Sequence, residues 1–116
     1  MGRMCGRMTQ QTSPEEVAHI FDAEVRDRDE DPFTPSWNVA PTDPVTVVLQ
    51  RDDGRTVERV RWGLVPSWAR SAREGARHIN ARAETVAESA AFRTSFRKRR
   101  CIIPAIDLDT ARSALA

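Results

Sequence analysis

Residues 45 to 62 read VTVVLQRDDGRTVERVRW, and this stretch decides the fold class. Val45 to Gln50 is a β-branched run, Asp53-Gly54 is a tight-turn pair, and Arg55 to Trp62 is a second extended run. The spacing predicts a β-hairpin. Upstream, the prolines at 32, 35, 41 and 44 favour extended backbone around Trp37-Asn38-Val39-Ala40-Pro41, because proline restricts both its own φ and the residue before it. Further upstream, Ser13-Pro14-Glu15-Glu16 has the signature of a helix start: Ser13 as cap, Pro14 at the first helical position and Glu16 completing a capping box. Val17, Ile20, Phe21 and Val25 then recur at helical spacing, and Asp27 to Asp31 reads as a solvated loop. Downstream of the hairpin, Gly63 to Gly75 is an irregular stretch holding Trp68, and His78 to Arg82 is expected to form a short strand. Thr85 to Glu88 repeats the capping-box spacing, and Phe92 and Phe96 predict a helix that ends in a basic run. Cys101-Ile102-Ile103-Pro104 is expected as a buried strand, with Cys101 packing as a small hydrophobe. The pattern is α+β, without repeats or low-complexity segments.

The chain has 116 residues, 40% hydrophobic and 30% charged, with seven prolines and five glycines. That length suits one small, turn-rich domain that buries roughly two thirds of its unfolded surface. Eighteen Lys plus Arg against seventeen Asp plus Glu leave a net charge of +1, so the totals say nothing of nucleic acid. The distribution is uneven: RTSFRKRR, Arg93 to Arg100, has five basic and no acidic residues, whereas Asp22 to Asp31 is mostly acidic. Such asymmetry sets a cationic field on one face, although a solvated helix end has the same composition. Two cysteines, Cys5 and Cys101, are too few for a disulfide framework, and no secretory or membrane-spanning segment is present, so a cytoplasmic location is expected. Gly6 stands where a myristoylation signal needs Ser or Thr. Cys5, His19, His78 and Cys101 contain no pair at ligand spacing, which argues against zinc; no metal, cofactor or membrane partner is expected.

Cys5 carries the distinctive chemistry. If the chain's terminus begins at this residue, thiol and α-amine form a 1,2-aminothiol, and the amine, with a reference pKa of about 7.7–8.0, is substantially neutral near pH 7. Such an amine attacks an aldehyde to give an imine, as catalytic lysines do, and the sulfur closes a five-membered thiazolidine. An abasic deoxyribose is in equilibrium with that kind of aldehyde. As written, the amine is locked behind Met1-Gly2-Arg3-Met4, so either translation starts at Met4 or the leader is removed. By itself, a cysteine near a terminus is more often an ordinary thiol.

Five segments occur in fixed order: Met4-Cys5-Gly6-Arg7, Trp37-Asn38-Val39-Ala40-Pro41-Thr42, Arg61-Trp62-Gly63-Leu64-Val65-Pro66-Ser67-Trp68-Ala69, Ile79-Asn80-Ala81-Arg82-Ala83-Glu84-Thr85 and Arg99-Arg100-Cys101-Ile102-Ile103-Pro104-Ala105. They resemble the signature segments of the SOS response-associated peptidase (SRAP) family. The resemblance covers residues 4–105, leaving 1–3 as a leader and 106–116 as a divergent tail. It implies an α+β fold around a β-barrel-like core with peripheral helices. It also implies single-stranded DNA containing abasic sites as partner, a monomer associated with the nucleoid when bound, and a thiazolidine link through Cys5 in the DNA damage response. Asn80 would hold the opened sugar, Arg7 and Arg82 would contact phosphates, and Pro41 and Trp68 would stack on bases. Glu84 would orient Arg82 or form a plain surface ion pair. Trp37 and Trp62 are expected to pack in the core.

After Ala105 the family continues into a strand bearing a Glu and later contributes a His, both serving the sugar chemistry, and neither is found in Ile106 to Ala116. The expectation from this is a truncated or frame-shifted product with an incomplete barrel, exposed apolar surface and unpaired edges. Two functions follow from the sequence: covalent shielding of abasic sites, or a non-catalytic fragment that binds single-stranded DNA weakly or does not fold alone. The family's peptidase label implies removal of the residue before Cys5; the residues give no sign of cleavage of other proteins.

Overall fold

A computed structural model of the chain describes residues 6–26 and 33–107. In chain order these form β1 (Met8–Gln10), α1 (Pro14–Phe21), β2 (Glu24–Val25), β3 (Ser36–Val39), β4 (Pro44–Arg51) and β5 (Gly54–Arg61). A 3-10 helix (Ala72–Arg77), α2 (Arg93–Lys98), β6 (Cys101–Ile102) and β7 (Ile106–Asp107) follow.

The hairpin is the spine. β4 and β5 pair antiparallel in unbroken register from Pro44 opposite Arg61 to Arg51 opposite Gly54. The turn residues proper are Asp52 and Asp53, and Gly54 follows them at a φ of 130°, which glycine adopts without a Cβ penalty. Val45 to Val48 are buried without a break because both faces of β4 are covered. Val45 and Val47 pack with Met8, Val39 and Trp62 on one face. Val48 and Val57 pack against Val17 and Ala18 of α1 on the other.

Two sheets result, one mixed and one antiparallel. One sheet has the order β2-β5-β4-β6, with β2 parallel to β5; the other has the order β3-β1-β7. They are laced together by Gln10, a buried side chain whose Nε2 donates to the Thr46 carbonyl at 2.8 Å and whose Oε1 accepts from the Thr46 amide at 2.9 Å. Nε2 also reaches the Pro104 carbonyl at 3.4 Å. The carboxamide thus stands in for a strand peptide beside β4 just where the two-residue β6, paired to Val48 and Leu49, stops. The α+β class is as expected, but the sheets do not close into a barrel among the described residues.

The start of α1 is capped by Ser13 as expected, its Oγ accepting from the Glu16 amide at 3.3 Å, but among the described residues the Glu16 side chain makes no return bond to complete the capping box. The helix ends earlier than the apolar spacing suggests. Asp22 turns left-handed at a φ of 51° and stops the helix, so Val25 belongs to β2, and Ile20 is 69% exposed. Three further expectations are corrected. His78 to Arg82 is not a strand; its backbone is used instead to bind the loop after Trp62. Thr85 starts no regular helix: residues 83–88 are successive turns, and α2 begins only at Arg93, its N-cap Phe92 offering no side-chain bond. Cys101 and Ile102 do form a strand, but an exposed edge one, because no further strand lies outside it among the described residues. No helix among the described residues is long and apolar enough to cross a membrane.

Candidate functional site

One core cluster sets the geometry of the site. Met8 in β1, Val39 in β3 and Trp62 after β5 are buried together, with Ile79 packed against them. Each apolar residue has a polar neighbour in the chain: Arg7 before Met8, Asn38 before Val39, and Asn80 after Ile79. Because successive residues of extended backbone point to opposite sides, burying Met8 and Val39 directs Arg7 and Asn38 outward. Arg7 Nη1 donates to Asn38 Oδ1 at 3.5 Å, and the Asn38 amide donates to Ser36 Oγ at 3.2 Å. The segment bearing Asn80 is fixed from beneath by Trp62, whose Nε1 donates to the Ile79 carbonyl at 2.9 Å. The Leu64 amide adds a bond to the His78 carbonyl at 3.0 Å. Trp62 therefore fulfils the expected core role, with 7% exposure; Trp37 does not, being 74% exposed on β3.

The other proposed contact residues flank the end of the hairpin. Pro41 lies in a turn in which the Ala40 amide donates to Asp43 Oδ2 at 2.9 Å and the Asp43 amide to the Ala40 carbonyl at 3.1 Å. The Thr42 amide bonds the Trp62 carbonyl at 2.8 Å, and the Trp62 amide bonds Asp43's carbonyl at 3.0 Å. Trp68 sits in the turn beyond Trp62, closed by the Ala69 amide on the Pro66 carbonyl, with 58% of its surface open. Arg82 is exposed, and its carbonyl accepts from the Thr85 and Val86 amides. Glu84 is exposed too, and no ion pair joins it to Arg82 among the described residues. Cys5 lies outside the described residues, two positions before Arg7.

Glycine makes the loop after Trp62 possible. Gly63 has a φ of 127°, and a Cβ there would stand 2.5 Å from the Gly75 carbonyl oxygen. The two backbones touch, which seats the Gly63 to Trp68 loop on the 3-10 helix. Asn38 as partner of Arg7 and Gln10 as the clamp between sheets were not singled out from sequence, although Asn38 stands inside one of the signature segments.

The resolved electrostatic shifts lie away from this site. Glu58 is held below the usual carboxylate range chiefly by the bidentate bond from Arg51, at 3.0 and 3.1 Å, with the Thr56 hydroxyl adding a further bond. The Cys101 residue is exposed, yet its thiol is partly desolvated against the sheet, and that desolvation pushes its pKa up. Among the described residues no cluster of His, Cys, Asp or Glu is placed to hold a metal ion.

The chain belongs to the family described as SOS response associated peptidase (SRAP), whose family model matches residues 4–107. Relatives include the abasic site processing protein YoaM of Bacillus subtilis, 37% identical over 102 residues covering 88% of this chain and 44% of that protein. The abasic site processing protein HMCES of Xenopus tropicalis is 31% identical over 122 residues, covering 86% of this chain and 36% of its own. A crystal structure of a Bacteroides thetaiotaomicron protein superposes with a TM-score of 0.71 at 23% identity, over 85% of this chain and 45% of the other, and so shares the fold. The chain spans less than half the length of these relatives.

Proposed function

We propose that this chain processes abasic sites in DNA by binding the single strand and capturing the opened sugar through Cys5 as a thiazolidine. Support comes from membership of a family whose relatives are named abasic site processing proteins. The observation that carries the reading is the shared core beneath Arg7, Asn38 and the Asn80 segment, which gathers polar and cationic groups beside the strand that Cys5 leads into.

In the proposed step the Cys5 amine nitrogen bonds to the aldehyde carbon, and the carbonyl oxygen leaves as water. The thiol sulfur then adds to the imine carbon while its proton passes to nitrogen, so one water is lost overall. Asn80 holds the opened sugar, Arg7 and Arg82 meet phosphates, and Pro41 and Trp68 face bases. Phosphate and stacking contacts bind without reading sequence. A second reading, binding without covalent capture, holds wherever Cys5 stays joined to Met4 as the sequence is written.

Intact-mass analysis after incubation with an abasic single-stranded oligonucleotide tests the proposal. The expected adduct is protein beginning at Cys5 plus oligonucleotide less one water, absent in Cys5→Ala. Equal adduct from a preparation that demonstrably retains Gly2 would overturn the thiazolidine.

A further inference from the structure

We infer that α2 and the two arginines after it form a second phosphate-binding surface, which takes the DNA strand flanking the abasic site. This rests on the proposed function and adds to it a contact region outside the residues so far assigned. Arg93, Arg97, Lys98, Arg99 and Arg100 are all exposed, and no acidic residue occurs in the sequence between Glu88 and Asp107. The side chains of Arg93, Arg97 and Lys98 have no ion-pair or hydrogen-bond partner among the described residues. Arg99 and Arg100 are steered by local contacts that leave their charge uncompensated. Arg99 Nη2 donates to Ser95 Oγ at 3.4 Å; Arg100 Nε donates to the Phe96 carbonyl at 2.6 Å, with the guanidinium 4.0 Å from the Phe96 ring centroid.

Helix electrostatics alone accounts for only part of this arrangement. Cations at the end of a helix offset its dipole, which suits Arg97 and Lys98, but Arg93 stands at the first position, where the dipole disfavours positive charge. The first turn has no acidic residue to compensate. Arg93 and Arg97, four apart, also repel one another. A surface that works against its own helix in this way is satisfied by an external polyanion.

The placement selects the strand already proposed for Arg82. A chain of bonded turns runs from Arg82 to α2: the Val86 amide bonds the Arg82 carbonyl, the Ser89 amide the Thr85 carbonyl, and the Arg93 amide the Ser89 carbonyl. Phe92, at the head of α2, meets His78 edge-on with ring centroids 5.7 Å apart. The cations are therefore held in fixed relation to the segment that carries Asn80 and Arg82, and a backbone engaged there continues over α2.

The test compares wild type with R93Q/R97Q/K98Q, using an oligonucleotide that carries a stable tetrahydrofuran abasic analogue, in a short and a long form. Binding is measured across a salt series. Each phosphate contact contributes about 0.7 to the salt slope for single strands, so the variant's slope on the long oligonucleotide should fall by about 2. Binding to the short form should stay within about twofold, and R93K/R97K should behave like wild type because charge is kept. An unchanged slope in a folded variant would overturn the inference, and a lowered melting temperature with that slope would assign the cations to helix stability alone. Absence of binding by wild type to either oligonucleotide would overturn the proposed function and this contact together, which sets that failure apart.

Discussion

Gly63 shows how much of this fold hangs on single positions. Its φ of 127° and the 2.5 Å approach to the Gly75 carbonyl leave no room for a side chain. Gly63→Ala should cost about 1–3 kcal/mol, combining a strained backbone with a forced separation of two loops. Gly75→Ala should cost less, since its Cβ would meet the Gly63 oxygen and Val65 Cγ2 at 3.1 Å with an ordinary φ. Denaturant melts of the two variants check the order, and a Gly63→Ala protein as stable as wild type would show that the loops part easily. This contact was not legible in the sequence, where Gly63 and Gly75 stand only as the ends of an irregular stretch and Gly63 as part of a motif. Close approach of two backbones depends on residues 12 apart meeting in space, and local propensity holds no record of it.

At the scale of elements, legibility follows how locally each element is determined. The hairpin was readable because a β-branched run, a turn and a second run fix their own pairing, and the α1 start because Ser13, Pro14 and Glu16 act within one turn. The end of α1 was not, since Phe21 and Val25 fit helical spacing equally well and β2 forms only because β5 offers it a parallel partner at Thr56 and Val57. Trp37 was misjudged for a related reason: aromatic character favours burial on average, yet Trp37 is left 74% exposed although it lies two positions from buried Val39 on the same strand. The hairpin also carries a pH signature. Glu58, lowered chiefly by Arg51, has a folded-state pKa below its unfolded one, so its contribution is present above the ordinary carboxylate range and is lost as pH falls through the depressed value. Glu58→Gln should therefore destabilise at neutral pH by about 0.2–1 kcal/mol, the range left by solvent screening of an exposed arginine. The difference from wild type should vanish in acid, and one that persists unchanged at low pH would remove the ionic account.

Across the whole molecule, two apolar clusters lie on opposite faces of one hairpin, and the sheet bearing Arg7 and Asn38 is joined to that hairpin through Gln10. A polar residue inside a strand reads as solvent-facing, which is why the clamp is not legible in the sequence; the barrel-like core was an implication of the family resemblance alone. The Gln10 clamp has a mechanical consequence. Under the proposed capture, a motor enzyme moving along the DNA would pull on Cys5 and hence on β1, three residues on. Antiparallel pairing to β3 and β7 takes such a pull in shear, and the paired bonds to Thr46 pass the load into β4, the most deeply embedded strand. Gln10→Ala removes that anchor and leaves the Thr46 amide and carbonyl without their partner. In single-molecule pulling between residue 5 and the other end of the chain, its rupture force should drop well below that of wild type while the Cys5 adduct still forms. Equal rupture forces would mean that tension reaches the hairpin by another route. Under that capture the glutamine would serve as a strain relief between the tethered strand and the body of the protein.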